Sequence, residues 1–141
     1  MSNFIIRGRG AIGGIAEGTA LVSREPIQGW GGVDEKTGFI IETGHPFEGL
    51  SIKGSIMFLS GGKGSTGWSC HFHAAKVNNV GPCAMVFSKI DSRTGVAAAV
   101  LNIPVVTDLE EDPFNLIETG DWVKVDGNNG IIEVTTKIHI I

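Results

Sequence analysis

A glycine-rich segment that carries one lysine and two hydroxyl side chains is the part of this sequence best suited to chemistry. Residues 61–67 read Gly-Gly-Lys-Gly-Ser-Thr-Gly, between the apolar run Ser55–Leu59 and a helix-compatible stretch, Trp68–Val80. Ligands of open α/β sheets bind at such strand-to-helix connections. Glycines let backbone N–H groups converge, a helix N-terminus adds partial positive charge, and Lys63 adds a full charge. The segment therefore predicts a site that binds an anion or stabilises an alkoxide.

The hydroxyl groups of Ser65 and Thr66 have two interpretations. Either they cap the N-terminus of the following helix, or one of them acts chemically. A serine held at this position has its alkoxide stabilised, as a serine base or nucleophile requires. The segment is not a P-loop, because Gly64 separates Lys63 from Ser65, whereas that motif joins lysine directly to serine or threonine. The residues alone leave both interpretations open.

Cys70, His71 and His73 raise the question of a metal site. On a helix, His71 and His73 lie about 200° apart and cannot converge on one ion, since neighbours on a face are three or four residues apart. Cys70 and His73 have the required spacing, and Cys83 is a distant third candidate ligand. We favour a buried helix face with ordinary polar residues, and we predict that this chain holds no metal.

A second glycine-rich segment lies near the N-terminus. Gly8–Gly13 matches the G-x-G-x-x-G pattern of dinucleotide-binding folds. That function requires a helix to begin at the third glycine, because the pyrophosphate binds to helix N-terminal amides. Residues 14–18 are instead glycine-rich and then strand-like. We therefore predict a glycine turn here and no dinucleotide site.

Several other polar and aromatic residues have less specific patterns. His45 lies in a His-Pro loop and is expected to be exposed, either lining a site or forming a turn. Trp30, Phe47 and Trp68 lie in or beside glycine-rich loops, where aromatic residues form either satellite core or a partner surface. The following acidic residues are interpreted as solvated surface charges: Asp34, Glu35, Glu110, Glu111 and Asp112.

The elements that position the glycine-rich segment 61–67 form a β-rich α/β domain. Three apolar strands are predicted to alternate with two helices, an order that implies a parallel sheet with right-handed crossovers. The strands are Ser55–Leu59, Cys83–Phe87 and Ile103–Val106, and the helices are Trp68–Val80 and Gly95–Leu101. Further strands are predicted at Phe4–Arg7, Ala16–Ser23, Phe39–Glu42, Trp122–Asp126 and Ile131–Ile141.

Length and composition exclude several classes of protein. The 141 residues suit one domain, 1–141. The chain has 11 Lys and Arg against 15 Asp and Glu, a net charge of −4. It therefore lacks the basic surface that nucleic acids and anionic membranes require. No apolar run approaches the roughly 20 residues that span a bilayer, and no secretory signal is recognisable, so we expect a cytoplasmic protein. Two cysteines are too few to hold an iron–sulfur cluster.

Six stretches in order give the chain a specific resemblance, from about Gly8 to Val134. They are Ala16–Ser23 (AEGTALVS), Gly31–Gly38 (GGVDEKTG), His45-Pro46, Gly62–Ser65 (GKGS), Ile103–Val106 (IPVV) and Thr119–Gly127 (TGDWVKVDG). In these stretches the sequence resembles the small, swivel-type subunit of the aconitase X family. The resemblance implies a swivelling β/β/α fold and a hydro-lyase whose large subunit carries an iron–sulfur cluster on its own cysteines.

The resemblance also implies roles for residues of the segment 61–67. Ser65 occupies the position of the family's catalytic base, and Lys63, Gly64 and Thr66 are expected to bind the substrate. The implied reaction is elimination of water from a small hydroxy acid. As the resemblance implies it, the cluster iron would act as a Lewis acid toward the departing hydroxyl, and the Ser65 alkoxide would remove the proton from the adjacent carbon.

Two substrates are known in the family: cis-3-hydroxy-L-proline in bacteria and 5-phosphomevalonate in archaea. The low share of charged residues argues against a hyperthermophile, and we therefore expect cis-3-hydroxy-L-proline, with 5-phosphomevalonate as the alternative. The residues after the segment 61–67, namely Trp68, Cys70, His71 and His73, replace the family's usual small and aliphatic ones. Two non-catalytic functions remain open: a partner-binding module without the chemistry and a free-standing anion-binding protein.

Overall fold

One eight-stranded mixed sheet dominates the fold. The computed structural model describes residues 3–23, 27–28, 33–34, 36–45, 47–60, 62–63, 74, 76–88 and 101–135. The elements are β1 (Asn3–Arg7), β2 (Arg9–Ile12), β3 (Ile15–Ser23), β4 (Ile27–Gln28), β5 (Ile56–Leu59), β6 (Gly62–Lys63), β7 (Ala84–Phe87), β8 (Val105–Thr107), α1 (Pro113–Leu116), β9 (Trp122–Asp126) and β10 (Ile131–Thr135). Residues 74, 76–77 and 101 are also helical.

The sheet has an antiparallel half and a parallel half that share β3. Its order is β1-β10-β9-β3-β5-β7-β8-β2. The first five residues of β3 pair with β9 in antiparallel register, and its last four pair with β5 in parallel register. Strands β5, β7 and β8 are parallel to one another, as the predicted alternation of strands and helices implies. The β-rich α/β fold class is confirmed.

The parallel strands are apolar throughout because both of their faces are buried. All residues of β5 and of β7 are buried. Ile56 and Phe58 pack into one hydrophobic core, with the inner side chains of the antiparallel strands. Met57 and Leu59 pack into a second core on the opposite face. This two-sided burial explains the continuous apolar runs, since strands covered on both faces lose the polar alternation.

The antiparallel strands bury one face only. In β9, Val123 and Val125 are fully buried, whereas Trp122 on the other face is 51% exposed. The same alternation continues in β10, where Ile132 and Val134 are buried and Glu133 is exposed. The predicted strand Trp122–Asp126 is therefore confirmed residue by residue. The predicted strand Ile131–Ile141 is confirmed as far as Thr135, and residues 136–141 lie outside the described residues.

Glycines close the sheet where its two ends meet. β1 and β2 are last in the sheet order at opposite ends, yet Gly8 alone joins them. The Gly8 N–H donates to the carbonyl oxygen of Gly130 over 2.8 Å. A Cβ atom on Gly10 would lie 2.0 Å from the carbonyl oxygen of Gly127, so only glycine fits there. The prediction of a turn at Gly8–Gly13 is wrong, because Arg9–Ile12 is a strand.

A second prediction, the strand at Phe39–Glu42, is wrong. Phe39–Glu42 is not a regular strand, and it takes part only in the isolated bridges Val33↔Ile40 and Phe39↔Ser51. Positive φ angles at Gly38, Gly44, Gly49 and Gly54 turn the chain too often for a ladder to extend. Ile40 nevertheless lies fully buried in the second core.

Candidate active site

The end of β5 is the rigid support of the candidate site. β5 pairs in parallel with β3 on one side and with β7 on the other. Beyond the last pair, Leu59↔Phe87, the N–H of Ser88 donates to the carbonyl oxygen of Leu59 over 3.2 Å. The chain therefore leaves a fully buried strand at the carboxyl edge of the parallel half, where open α/β sheets bind their ligands.

Lys63 lies in a short strand that the sequence did not predict. Gly62 and Lys63 form β6, which pairs in parallel with β4, in the register Ile27↔Gly62 and Gln28↔Lys63. The backbone of Lys63 is thus fixed by a two-residue ladder. No hydrophobic periodicity can reveal a strand of this length, because alternation needs at least four residues to be recognised.

The other predicted site residues lie outside the part of the chain that the structure describes. These are Gly64, Ser65 and Thr66, and their catalytic and binding roles stay predictions. The same holds for Cys70, His71 and His73, and therefore for the metal question that they raise. Glu35, Trp30 and Trp68 also lie outside the described residues.

Cys83 is a partly buried thiol held among backbone carbonyl groups. Its Sγ lies 3.4 Å from the carbonyl oxygen of Gly54 and 3.5 Å from those of Glu17 and Ser55. Burial raises the pKa of the Cys83 thiol. Since the thiolate is the metal ligand and the nucleophile, this environment argues against either role for Cys83.

His45 is buried, which contradicts the expectation of an exposed loop residue. Only 4% of its surface is exposed. Consecutive turns fold the ring inward, since the His45 N–H donates to Glu42 O and the Glu48 N–H donates to His45 O. The Phe47 N–H donates to Nδ1 over 3.0 Å, which places the imidazole proton on Nε2. Nε2 has no hydrogen-bond partner within the described ranges.

Phe47 is one of the loop aromatic residues for which the sequence allows either a place in the satellite core or a partner surface. Its ring centroid lies 5.7 Å from that of His45. Phe47 is partly buried and packs against the core that contains Met57 and Leu59. It is therefore satellite core and not an exposed anchor for a partner.

The predicted surface acids have local structural roles or none. The Asp34 carboxylate accepts the N–H groups of Lys36 and Thr37, which lower the pKa of Asp34. Asp112 caps α1 by accepting the Phe114 N–H over 2.9 Å. Sequence reasoning missed this helix, although an aspartate before Pro113 is a helix-start signal. Glu110 and Glu111 are exposed.

A cavity of about 350 Å³ lies beside the carboxyl ends of β7 and β8. It is lined by Ser88 and by residues 109–114, which include three carboxylates. Carboxylates repel anionic ligands. This cavity is therefore poorly suited to an anionic ligand.

The described residues contain no set of metal ligands. No group of three or more His, Cys, Asp and Glu residues is placed to hold an ion within these ranges. In the same ranges, no helix has the length and hydropathy needed to cross a membrane.

Comparison with known proteins identifies the family. The model of the aconitase X swivel domain matches residues 5–134. The chain belongs to the aconitase X swivel family. In the crystal structure of aconitase X from Thermococcus kodakaraensis, holo-form, a chain aligns with a TM-score of 0.86 at 34% identity, over 93% of this chain and 98% of that one. The predicted swivel-type fold of the aconitase X family is thereby confirmed.

Several curated relatives of this swivel domain share one name. The phosphomevalonate dehydratase small subunit of Methanocella arvoryzae is 43% identical over 92% of this chain and 98% of the relative. The protein of the same name from Pyrococcus furiosus is 35% identical over 94% of this chain and 96% of the relative. The prediction of a hydro-lyase subunit that acts with a large subunit is confirmed.

The predicted substrate, cis-3-hydroxy-L-proline, is wrong. The relatives are named for phosphomevalonate, which was the stated alternative. The error came from the charge argument. A low share of charged residues argues against growth at very high temperature, but it does not distinguish substrates, since relatives come from Methanosarcina as well as from Pyrococcus.

Proposed function

We propose that this aconitase X swivel chain is the small subunit of a phosphomevalonate dehydratase. The observation that carries the proposal is the 43% identity to the Methanocella arvoryzae protein over almost the full length of both chains. Proteins of the same name from Methanosarcina mazei and Pyrococcus furiosus match over 91% and 94% of this chain. The reaction is loss of water from the hydroxy acid, catalysed together with a large subunit.

Ser65 is the proposed catalytic base, and Lys63, Gly64 and Thr66 are the proposed substrate-binding residues. The substrate carries a carboxylate and a phosphate group, so its site must supply positive charge and N–H donors. The segment 61–67 offers both in its sequence, through four glycines and Lys63. In this role Ser65 takes the proton from the carbon next to the one that loses its hydroxyl group.

The iron–sulfur cluster of the proposed enzyme belongs to the large subunit. Clusters are held by several cysteine thiolates, and the described residues contain one cysteine, Cys83, whose burial favours the thiol. These residues do not fit a cluster, and no step through it is assigned to them. The net charge of −4 further supports an enzyme without a nucleic-acid or anionic-membrane partner, and a cytoplasmic location is part of the proposal.

Co-expression with a candidate large subunit tests this function. The complex is purified without oxygen and incubated with phosphomevalonate, and loss of water is measured by mass spectrometry. We expect turnover that requires both chains, with no turnover of cis-3-hydroxy-L-proline. A stable, cluster-loaded complex that leaves phosphomevalonate unchanged would contradict the proposal.

A further inference from the structure

Arg9 and Asp108 form an ion pair at the carboxyl edge of the parallel half of the sheet. The Arg9 Nε atom donates to Asp108 Oδ2 over 2.9 Å. Arg9 lies in β2, and Asp108 follows directly after β8. Both side chains are exposed, at 61% and 49%. Exposed ion pairs contribute little to stability, so stability alone does not account for this arrangement.

One row of in-register residues connects Arg9 with the strand that leads into the segment 61–67. Leu59, the last residue of β5, is in register with Phe87. Phe87 is in register with Thr107, and Thr107 with Arg9. In-register residues lie on the same face of a sheet, and neighbouring strands are about 4.8 Å apart. Arg9 therefore lies on the same face as Leu59, about 14 Å away along the edge where open α/β sheets bind ligands.

Backbone contacts fix the position of Arg9. A Cβ atom on the preceding Gly8 would lie 2.7 Å from the carbonyl oxygen of Thr107, so the chain approaches β8 too closely for a larger residue. After Thr107 the chain turns with a φ of +53° at Asp108, a conformation that aspartate adopts more readily than most residues. The arginine and the carboxylate that orients it are therefore both attached to a rigid support.

The ion pair occupies one nitrogen of the guanidinium group and leaves two. Asp108 engages Nε, and the terminal Nη groups of Arg9 have no contact with the described part of the chain. A guanidinium group presents its N–H donors in a planar fork that matches the oxygens of a phosphate or a carboxylate. Arg9 is therefore oriented by Asp108 and still able to bind an oxyanion.

Thr107 adds an independent sign of a ligand in the same row. Its side chain is fully buried, and its Oγ1 atom has no hydrogen-bond partner within the described ranges. Buried hydroxyl groups are nearly always hydrogen-bonded to protein or to water. The unpartnered hydroxyl next to Arg9 therefore indicates that this edge holds a polar group that the chain alone does not supply.

We propose that Arg9 binds the phosphate group of the substrate, with Asp108 as its positioning residue. The proposal rests on the function proposed above, because it assumes that the substrate is phosphomevalonate. The carbon that loses its proton lies beside the carboxylate of that molecule and must meet the segment 61–67, which contains the proposed base. The phosphate is at the other end of the carbon chain and therefore suits a cation farther along the same edge.

Substitutions of Arg9 in the co-expressed complex test its role. We expect Arg9→Met to raise the KM for phosphomevalonate about 10- to 100-fold, as expected for lost hydrogen bonds to a charged group, and to change kcat less than threefold. Arg9→Lys keeps the charge without the fork and should raise KM less. Arg7→Met is the matched control, because it removes the same charge from an exposed position of β1, and it should leave both constants unchanged.

Asp108→Gly separates positioning of the arginine from direct binding. Glycine accepts the positive φ, so the substitution removes only the carboxylate. KM should rise about threefold in the wild-type background and stay constant in the Arg9→Met background, because Asp108 acts only through Arg9. An equal rise in both backgrounds would contradict the positioning role.

Two inhibitors identify the group that Arg9 binds. Arg9→Met should raise the inhibition constant of inorganic phosphate and leave that of mevalonate, which has the carboxylate and no phosphate, unchanged. The opposite pattern, or a wild-type KM in Arg9→Met, would overturn the inference. Weaker association with the large subunit at an unchanged inhibition constant for phosphate would also overturn it, because Arg9 would then bind the partner and not the substrate.

Failure of the inference is distinguishable from failure of the proposed function. In the first case the wild-type complex dehydrates phosphomevalonate and the Arg9 variants match it; in the second, the wild-type complex is itself inactive. The melting temperature of each variant shows that a change in KM does not come from unfolding, since substitutions at exposed positions usually leave stability almost unchanged.

Discussion

The two glycine-rich segments of this chain look alike in sequence and differ in their surroundings. In residues 8–14, the atoms nearest to Gly10 and Gly13 belong to the turn between β9 and β10. A Cβ atom on Gly10 would meet backbone and one on Gly13 would meet the Asn128 side chain, so these glycines serve close packing within the fold. The segment 61–67 instead follows a fully buried parallel strand and carries a lysine. Glycine content alone therefore does not indicate a site; the strand that precedes the glycines and the charge among them do.

Replacing Ser65 with Ala is the most damaging change predicted for the segment 61–67. General-base catalysis contributes about 10²–10⁴ in rate, so turnover by the assembled enzyme should fall by at least a hundredfold. The free energy of unfolding should change by only about 0.5–2 kcal/mol, the usual loss of a helix cap. Steady-state kinetics and thermal unfolding measure the two effects. Turnover within tenfold of wild type would mean that Ser65 is a cap and that the base lies elsewhere.

Lys63→Met removes the charge and leaves the glycines in place. A missing stabilising group in a water-excluded site costs about 10²–10³ in turnover, and we expect a loss of that size in kcat. Raising the pH should restore part of it, because a serine without a neighbouring cation ionises only under less acidic conditions. Loss of substrate binding would appear separately as a raised KM. If both constants were unchanged, Lys63 would be an ordinary solvated residue.

Gly10→Ala should damage the fold and not the chemistry. The new Cβ would lie 2.0 Å from the carbonyl oxygen of Gly127, which is backbone and cannot move aside cheaply. Forced overpacking of this kind costs about 3 kcal/mol, which chemical denaturation of the variant measures. The control is Gly44→Ala, where φ is +82° and no atom lies within 4 Å of the new Cβ. Conformational strain alone should cost that variant about 1 kcal/mol.

Activity per folded molecule distinguishes a structural role of Gly10 in the sheet from a role in binding a ligand. The Gly10→Ala complex that remains folded should keep the wild-type KM and kcat. A raised KM at normal stability would show instead that Gly10 itself contacts the substrate.

Sequence reasoning predicted the parts of the fold in which hydrophobic residues form a regular pattern. The buried strands β5 and β7 and the alternating strand β9 have clear hydrophobic patterns, and each was predicted within one residue of its observed bounds. β2 was missed because the glycines in and around it resemble a turn. Gly10, the one glycine within the strand, is explained only by its contact with the distant turn at Gly127–Gly130. Long-range backbone contacts of this kind leave no local pattern.

The same distinction between local patterns and long-range contacts holds in the candidate site. The position of the segment 61–67 after β5 followed from an apolar run and a cluster of glycines. The pairing of Lys63 with Gln28 did not, because it joins residues 35 positions apart in sequence through strands of two residues. The burial of His45 was missed for a related reason, since it depends on consecutive turns and not on a periodic pattern.

The smallest expected effect concerns the turn Gly127–Gly130, which lies against Gly8 and Gly10. The Asp126 carboxylate accepts hydrogen bonds from the Asn129 side chain and from the N–H groups of Asn128 and Asn129. These bonds, with the Asn129 side chain first, lower the pKa of Asp126. A carboxyl group whose pKa is lower in the folded state stabilises the fold above its unfolded pKa of about 3.9 and loses that contribution as the pH falls.

Asp126→Asn keeps the side-chain oxygen and removes the charge, so it isolates this contribution. Above about pH 5 the variant should melt at a slightly lower temperature than the wild type, and the difference should shrink as the pH falls below about 4. Because Asp126 is only partly buried, the difference should also be small and weaken with added salt. Thermal unfolding of both proteins between pH 3 and pH 7 measures it. A difference that stayed constant over this range would mean that hydrogen-bond geometry, and not charge, holds the turn against Gly8 and Gly10.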